Sequence, residues 1–415
     1  MNVLMLGNGF DLNYELPTKY INFLNTINFV SQVDKPTFTA GMIFDNKELQ
    51  GIDKGIAASY GKYAGAYDSI VVDAEAVAKF KALAQNNLWF SFLLNSFNKD
   101  IGWIDFEREI STVLHGFQEF LSKIETRFTE KEFPSNRIHR YVIKTFDFFY
   151  SQIVKAGVTS TGRRYESEYS VTDDFVVEYP LGSRNKVINK EKIIAFLKKE
   201  LLELAEGLKL YLQFFVEMVV IKLVEQHCLL PLSALSNAMH IISFNYTNTY
   251  EQVYQKGEVY HIHGSLQDRI ILGVNPDDYD KIETVDTLCL PFKKYYQRVI
   301  YQSDVKYLEW VSKSDKNISL VVMGHSLDET DKDIIMQLFD IAKDITVLFF
   351  DEDIEASLIA NLIRIYGKER FDKLRVEKRL RFLNQNMDFD GFAENRSAKE
   401  LEAQMKAIRE IRNFI

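Results

Sequence analysis

The fold is decided by residues 3–12, VLMLGNGFDL, in which an apolar run leads directly into two closely spaced glycines, Gly7 and Gly9. Glycines that follow an amino-terminal strand permit a tight turn and a close approach of the backbone to a ligand. If a helix begins there, its free N–H groups favour a phosphate. The third glycine of the dinucleotide-binding fingerprint is missing, so a structural turn and a nucleotide-binding turn both stay open as interpretations.

Five further short apolar runs, all after residue 240, are bounded by glycine, polar or charged residues. They are IISFNY from Ile241, VYHIHG from Val259, IILGV from Ile270, SLVVMG from Ser319 and ITVLFF from Ile345. Near-continuous runs of Val, Ile, Leu and Phe are typical of strands in a sheet that is covered on both faces. We therefore predict an α/β fold of the Rossmann-like type, with a mostly parallel sheet that starts with the amino-terminal run.

Residues 36–236 have the periodicity of helices instead. A long helix capped by Asn189 is predicted from apolar residues at helical spacing, namely Ile194, Leu197, Leu201, Leu204, Leu208, Tyr211 and Phe215. The predicted organisation has three parts: a Rossmann-like core of residues 1–35 and 237–366, a mainly helical insertion of residues 36–236, and a helical segment of residues 367–415 packed on the core.

The composition excludes whole classes of protein. The chain has 415 residues, 47% of them hydrophobic and 26% charged, which suits a large core and not a disordered chain. Its formal net charge is −9, whereas generic binders of nucleic acids or anionic membranes carry an excess of positive charge. Two cysteines, Cys228 and Cys289, make neither a disulfide framework nor a four-cysteine zinc site, and they favour a cytoplasmic protein. No apolar run in the sequence is long enough to cross a bilayer.

Polar residues with catalytic potential end two of the later runs. Asn245 closes the run from Ile241 and offers a donor and an acceptor without charge. His261 and His263 close the run from Val259, and residues two apart on a strand face the same side, so both rings are expected to point one way. Histidine is the side chain best suited to general-base work near neutral pH. Histidines that are merely hydrogen-bonded near a strand end are the alternative.

The run from Ser319 leads into Gly324, His325 and Ser326, where a hydroxyl can hold a ribose or cap the next helix. A metal site is the competing interpretation of the histidines, but nothing in their spacing demands a third ligand, and no metal is expected. Its ligands would come from His261, His263, His325, Asp328 and Asp331.

Taken in order, these motifs resemble the pattern of the AbiH family of phage abortive-infection proteins. The matching stretches are GNGFDL (7–12) followed by LPT (16–18), WIDFE (103–107), FNYTNTYE (244–251), HIHGS (261–265) and GHSLDETD (324–331). On sequence grounds alone, the acidic residues of WIDFE are predicted to be exposed to solvent. Each motif is weak alone, but the ordered set spans most of the chain.

The AbiH family in turn resembles the sirtuin-like NAD-binding domains of bacterial antiphage effectors. This resemblance implies that Asn245 and His263 are catalytic, with His263 as the general base and NAD as substrate. Gly7, Asn8 and Gly9 would hold the pyrophosphate, and Asp11 with Ser326 the ribose hydroxyls. The predicted NAD-binding set is Gly7, Asn8, Gly9, Phe10, Asp11, Thr18, Gly264, Gly324, His325 and Ser326.

The predicted function is an antiphage NAD glycohydrolase that converts NAD to nicotinamide and ADP-ribose. One alternative is a non-catalytic nucleotide or ADP-ribose sensor in a defence complex. The other is a metal-dependent nuclease or phosphoesterase. The expected partners are NAD or a related nucleotide and either further copies of the chain or a defence protein, with no membrane and no generic nucleic acid.

Overall fold

A computed structural model describes residues 1–97, 106–128, 137–138, 154–161, 164–178, 186–229, 231–232, 235–274, 289–314 and 317–385. Its main sheet has six parallel strands: β1 (Asn2–Leu6), β2 (His240–Ser243), β3 (Glu258–His261), β4 (Ile318–Met323), β5 (Ala342–Phe349) and β6 (Leu380–Asn384). Their order across the sheet is β3-β2-β1-β4-β5-β6. This order is typical of doubly wound nucleotide-binding folds, and its direction reverses between β1 and β4. The predicted Rossmann-like α/β fold is confirmed.

Five of the six predicted strands are present, and the exception is the run from Ile270. Residues 270–274 are buried but irregular, apart from one isolated bridge at Val274. The Ile271 amide donates to the His263 carbonyl, and the Val274 amide donates to the Phe292 carbonyl. These backbone groups of the run are therefore hydrogen-bonded without pairing in a β-sheet. The apolar run from Ile270 therefore predicted the burial of these residues correctly, but the prediction of a strand was wrong. The sixth strand is β6, inside the carboxyl-terminal segment that was predicted as helical.

The described helices lie mostly in the insertion and around the sheet. They are α1 (Gly9–Asn13), α2 (Tyr20–Gln32), α3 (Ala40–Phe44), α4 (Lys47–Ile52), α5 (Lys54–Ser69), α6 (Ala74–Asn86), α7 (Leu88–Phe97), α8 (Phe106–Phe128), α9 (Lys190–Leu212), α10 (Met218–Glu225), α11 (Thr249–Tyr254), α12 (Lys294–Tyr301), α13 (Val305–Lys313), α14 (Lys332–Ile341), α15 (Glu352–Tyr366) and α16 (Lys368–Val376). A π-helical turn, Gln213–Glu217, joins α9 to α10. No helix in these described ranges is both long and apolar enough to cross a membrane.

The insertion also carries short antiparallel strands. One pair is Phe38–Thr39 with Val71–Val72, and another is Val176–Glu178 with Lys186–Ile188. The longest two, Val154–Thr161 and Arg164–Val171, are also paired antiparallel, and Arg137–Ile138 pairs with the second of them. The insertion is thus mainly helical, with short antiparallel strand pairs added. The boundaries of the three predicted parts stay a prediction.

The long helix α9 confirms its predicted cap and its apolar face. The Asn189 side chain accepts a hydrogen bond from the Lys192 amide at 2.9 Å, as an N-cap should. Its predicted apolar residues are all buried, together with Phe215 in the π-helical turn. They continue one large core that reaches Leu4 and Leu6 of β1, whereas Val3 and Met5 face a second core beneath α14 and α15. The sheet is therefore covered on both faces, as its sequence predicted.

A buried histidine, aspartate and lysine at the carboxyl edge of the sheet

Every predicted motif of the sheet follows the carboxyl end of a strand. Gly7 follows β1, Asn245 lies two residues beyond β2, His263 two residues beyond β3, and His325 two residues beyond β4. Because the strands are parallel, these ends share one edge of the sheet, where ligands bind in open α/β folds. Residues separated by more than two hundred positions are therefore gathered at one edge by the topology alone.

The two glycine loops at the point of reversal pack directly on each other. The Gly7 amide donates to the Met323 carbonyl at 3.1 Å, and the Gly9 amide to the Gly324 carbonyl at 2.8 Å. A Cβ on Gly9 would lie 2.6 Å from Gly324 Cα, and Gly324 itself has a φ of +69°. Close backbone approach and left-handed geometry both require glycine here. These two amides already have protein acceptors, and pyrophosphate binding by this loop stays a prediction.

Asp11, two residues after Gly9 in α1, is a buried carboxylate. It is 1% exposed, and its Oδ2 accepts a hydrogen bond from the Thr247 hydroxyl at 2.6 Å. Oδ1 has no hydrogen-bond partner among the described residues. Burial raises the pKa of Asp11 to about 6, the Thr247 hydroxyl opposes this shift, and Glu217 and Glu251 add to it by charge repulsion. In this conformation Asp11 joins α1 to the loop after β2, and its predicted contact with a ribose would require a rearrangement.

The two histidines after β3 do not point one way. The strand ends at His261, so its alternation does not extend to His263, and the expectation of a shared face is wrong. His261 Nδ1 lies 3.0 Å from the Asn245 carbonyl and Nε2 lies 2.6 Å from Glu251. Burial opposes protonation of His261, but Glu251 reverses that effect and raises its pKa.

Asn245 is held through its backbone. Its amide donates to the Ser243 hydroxyl at 3.2 Å, and its carbonyl faces His261. The residue is 7% exposed, and its side chain has no hydrogen-bond partner among the residues that the structure describes. The rings on either side of it, Phe244 and Tyr246, both lie near His263, at centroid distances of 5.2 and 6.5 Å. A shared ribose contact by Asn245 and His263 stays a prediction.

His263 and His325 converge on one carboxylate, Asp331. His263 Nε2 lies 2.9 Å from Asp331 Oδ1, and His325 Nε2 lies 3.4 Å from Asp331 Oδ2. The Phe244 ring contacts both imidazoles edge-on, at 5.2 and 4.2 Å. His325 Nδ1 accepts from the Leu327 amide at 2.9 Å, so its Nε2 carries the proton that faces Asp331.

A buried ammonium completes the group. Lys294 Nζ lies 3.0 Å from Asp331 Oδ1 and 2.6 Å from Glu107 Oε1. Burial would raise the pKa of Asp331, but Lys294 and His263 hold it well below its ordinary value. Burial would likewise lower the pKa of Lys294, but Asp331 and Glu107 raise it. Lys294 is therefore a cation and Asp331 an anion over the whole physiological range.

His263 is neutral in this setting. Burial and the Lys294 ammonium lower its pKa to about 4, although Asp331 acts in the opposite direction. A neutral ring beside an ionised carboxylate carries its proton on Nε2 and donates it to Asp331. Nδ1 then holds the lone pair, and it has no hydrogen-bond partner among the described residues. The ring is thus oriented by Asp331 and available as a base.

The other predicted site residues take varied places. Phe10 is buried against Tyr14, with ring centroids 5.5 Å apart, and packs in the core. Gly264 has a φ of +77°, and a Cβ there would meet the Arg269 carbonyl. Ser326 is exposed, and its carbonyl accepts from Asn361 at 2.9 Å.

Two residues of the first loop region complete that account. Asn8 precedes α1 and makes no side-chain cap hydrogen bond. Thr18 is half-buried, and its hydroxyl has no hydrogen-bond partner among the described residues.

The sequence interpretation missed Glu107 and Lys294 as parts of the site, and it placed Asp331 beside His263 and His325 only as a possible metal ligand. Asp331 and Glu107 stand inside the quoted motifs GHSLDETD and WIDFE, and a signal for them was therefore present. The acid of WIDFE at Glu107 is not solvated as expected, since it pairs with a buried lysine. Lys294 follows the irregular run after Ile270 and carries no motif, so nothing in one sequence marks it.

The geometry also bears on the metal interpretation. Of the residues that the structure describes, no group of three or more His, Cys, Asp or Glu is arranged to hold a metal ion. His263, His325 and Asp331 do meet, but the Lys294 ammonium supplies the positive charge between Asp331 and Glu107. A metal cation there would have to displace or repel that ammonium.

Fold and site together define a Rossmann-like α/β protein with a buried His–Asp–Lys group at the carboxyl edge of its sheet. The sequence model of the family described as "Bacteriophage abortive infection AbiH" matches residues 3–351. The chain belongs to this family, and its membership implies a role in phage abortive infection. No curated protein and no solved structure matches the chain.

Proposed function

We propose that the protein is a hydrolase that cleaves the nicotinamide–ribose bond of NAD during abortive infection, with His263 as its general base. The observation that carries the proposal is the His263–Asp331 pair, in which a neutral imidazole is oriented by an ionised carboxylate 2.9 Å away at the carboxyl edge of the sheet. A base that is held by a third group is the recurring arrangement of hydrolytic sites. NAD as the substrate rests on the resemblance of the motifs to sirtuin-like domains.

The reaction would proceed with water as the nucleophile. The C1′–N1 bond breaks and its electron pair stays on the nicotinamide nitrogen, which leaves as a neutral group. Water oxygen bonds to C1′ and its proton passes to His263 Nδ1, so the products are nicotinamide, ADP-ribose and a proton. A positioned base of this kind contributes roughly 10²–10⁴-fold in rate. Asn245 would orient the water and the ribose.

The test uses the full-length protein and NAD. Nicotinamide release is followed by chromatography for the wild type, His263→Asn and a matched control, His227→Asn, which changes an exposed histidine at a positive φ that asparagine tolerates. Release is expected from the wild type and the control and should fall roughly 10²-fold or more in His263→Asn. Equal release by His263→Asn, or none by the wild type, would overturn the proposal.

The pH profile provides a second check. Because burial and Lys294 lower the His263 pKa to about 4, the ring keeps its lone pair throughout the neutral range. The kcat/KM value is therefore expected to stay level between about pH 6 and 8 and to fall only in more acidic buffer. A profile that rises through pH 6.5 would instead report a histidine with an ordinary pKa.

One observation favours a second candidate, a nucleotide or ADP-ribose sensor. The Gly7 amide donates to the last residue of β4, Met323, and the Gly9 amide to Gly324 just after it, so a nucleotide that took these donors would have to separate the loop after β1 from the end of β4. Such coupling between binding and loop separation suits a sensor. NAD binding by calorimetry without nicotinamide release would support this candidate over the hydrolase.

A further inference from the structure

Lys294 links the helical insertion to the sheet edge. Its side chain is 2% exposed and lies between Glu107, from the first turn of α8 in the insertion, and Asp331, from the turn Glu329–Asp331 after β4. The two carboxylates belong to parts of the chain that are more than two hundred residues apart. One buried ammonium thus holds both parts together.

The link ends on the atom that orients the base. Asp331 Oδ1 accepts from His263 Nε2 at 2.9 Å and from Lys294 Nζ at 3.0 Å. Any displacement of the ammonium therefore changes the charge and the position of the oxygen that fixes the ring. Since the group is buried, such an electrostatic change is weakly screened by solvent.

A second path of contacts starts from the same turn of α8. The Phe106 ring stacks on Tyr20 with centroids 4.0 Å apart and an interplanar angle of 5°. The Tyr20 and Tyr246 hydroxyls lie 3.4 Å apart, and the Tyr246 ring lies near His263. Two adjacent residues of the insertion, one apolar and one ionic, are thus connected to the same imidazole.

We propose that Glu107 and Lys294 are a positioning pair through which the helical insertion holds the Asp331–His263 pair in its working geometry. The inference rests on the proposed function for its catalytic consequence but not for its electrostatic one. The charged and titratable groups around the His263 ring come from three elements and their loops: Lys294 and Arg298 from α12, Asp331 and His325 after β4, Tyr246 after β2, and Glu107 beyond Lys294. Removal of the pair would leave Asp331 without its ammonium. His263 would then bind a proton more tightly, because the positive charge of Lys294 no longer opposes protonation.

The first experiment does not depend on NAD cleavage. The His263 ring is titrated by NMR in the full-length protein, its signal assigned by comparison with His263→Asn. The double variant Glu107→Gln/Lys294→Met removes one negative and one positive charge together, so the net charge of the buried group is unchanged, which favours folding. The pKa of His263 is expected to rise by about one pH unit or more, because Lys294 is the charged group that lowers it most. An unchanged pKa in the double variant would overturn the proposal.

The matched control lies on the same helix. Glu109 is half-buried on α8 and has no charged partner among the described residues, so Glu109→Gln should leave the His263 titration unchanged. Lys294→Arg keeps the positive charge and is therefore expected to preserve the low pKa of His263. If the pair had a purely structural role, the pKa of His263 would not depend on whether residue 294 is charged. A Glu109→Gln shift equal to that of the double variant would also overturn the proposal.

The second experiment measures catalysis. Glu107→Gln is expected to lower kcat for NAD cleavage about tenfold, since a misplaced base lowers the rate, with KM changed less than about twofold. A change in KM alone would contradict the positioning role. If the wild type releases no nicotinamide but the His263 pKa still rises in the double variant, the proposed function fails and the positioning pair stands. If the wild type cleaves NAD but the His263 pKa does not rise in the double variant, the proposed function stands and the positioning pair fails.

Discussion

Two buried aspartates at the carboxyl edge of one sheet have pKa values that are shifted in opposite directions. Asp11 is 1% exposed and Asp331 is 6% exposed, so burial is similar. The pKa of Asp11 rises to about 6, because burial dominates and its charged neighbours are the carboxylates of Glu217 and Glu251. The pKa of Asp331 lies well below its ordinary value, because Lys294 and His263 outweigh burial. The comparison teaches that the buried ammonium, not the degree of burial, decides whether the pKa of the carboxylate falls or rises.

The largest effect is expected when Asp331 is made to resemble Asp11 by removing its cation. Lys294→Met leaves the buried Asp331 and the half-buried Glu107 without an ammonium. Leaving a buried charge unpaired typically lowers the free energy of unfolding by about 3–5 kcal/mol. Urea unfolding at pH 7.5 measures the change. Lys79→Met, which breaks an exposed pair with Glu75, serves as the control and should not move the midpoint. Similar midpoints for the two variants would mean that Asp331 does not depend on Lys294.

The next effect concerns the contact between Gly9 and Gly324, which lies at the same edge of the sheet. In Gly324→Ala the new Cβ would lie 2.3 Å from the Phe10 amide nitrogen, at a φ of +69°. Strain and overpacking together should lower the free energy of unfolding by about 2–4 kcal/mol. Gly51→Ala is the matched control, because a Cβ on this helical glycine meets nothing within 4 Å and should stabilise slightly. Equal stability of both variants would contradict the tight junction.

Asp11→Asn should sharpen the comparison from the other side. A raised native pKa gives stability that is present below the unfolded value of 3.8 and is lost as the pH rises through about 6. Asparagine keeps an acceptor for Thr247 and removes the buried charge, so the variant should be more stable than the wild type by about 1–3 kcal/mol at pH 7.5. The advantage should vanish near pH 4. A variant that is less stable at pH 7.5 would show that the charge of Asp11 has a partner there.

The smallest effect on folding is expected at Ser326, which shares this edge but is exposed. Ser326→Ala removes a hydroxyl that has no hydrogen-bond partner among the described residues, so the free energy of unfolding should change by less than about 0.5 kcal/mol. If the hydroxyl binds a ribose, the KM for NAD should rise by roughly three- to tenfold, the value of one hydrogen bond. Unchanged KM and stability together would remove Ser326 from the predicted site.

The fold was predictable because its signals are local. Apolar runs, glycines after β1 and the Asn189 cap each depend on a few neighbouring residues, and they fixed the class and five of the strands. The run from Ile270 misled because burial is a property of the tertiary structure, and a strand and a buried irregular segment share the same apolar composition. β6 was missed because its five residues, LRFLN, mix charge with apolar side chains at the sheet edge.

The site was predictable in its parts but not in its connections. His263 and Asp331 stand in motifs, yet their contact spans 68 positions and depends on how two loops cross the edge of the sheet. Lys294 lies in no motif, and its partners come from opposite parts of the sequence. Pairings of this kind are decided by the topology, so one sequence names the residues without saying which of them meet.

The sixth strand has a practical consequence for anyone who shortens this protein. Leu380–Asn384 pairs along β5 and covers one side of it. A truncation before residue 380 would leave the apolar Ala342–Phe349 as an unprotected border, with its hydrogen-bonding groups open to a neighbouring molecule. Such a shortened chain is expected to self-associate and precipitate, even though every residue of the histidine, aspartate and lysine group would still be present.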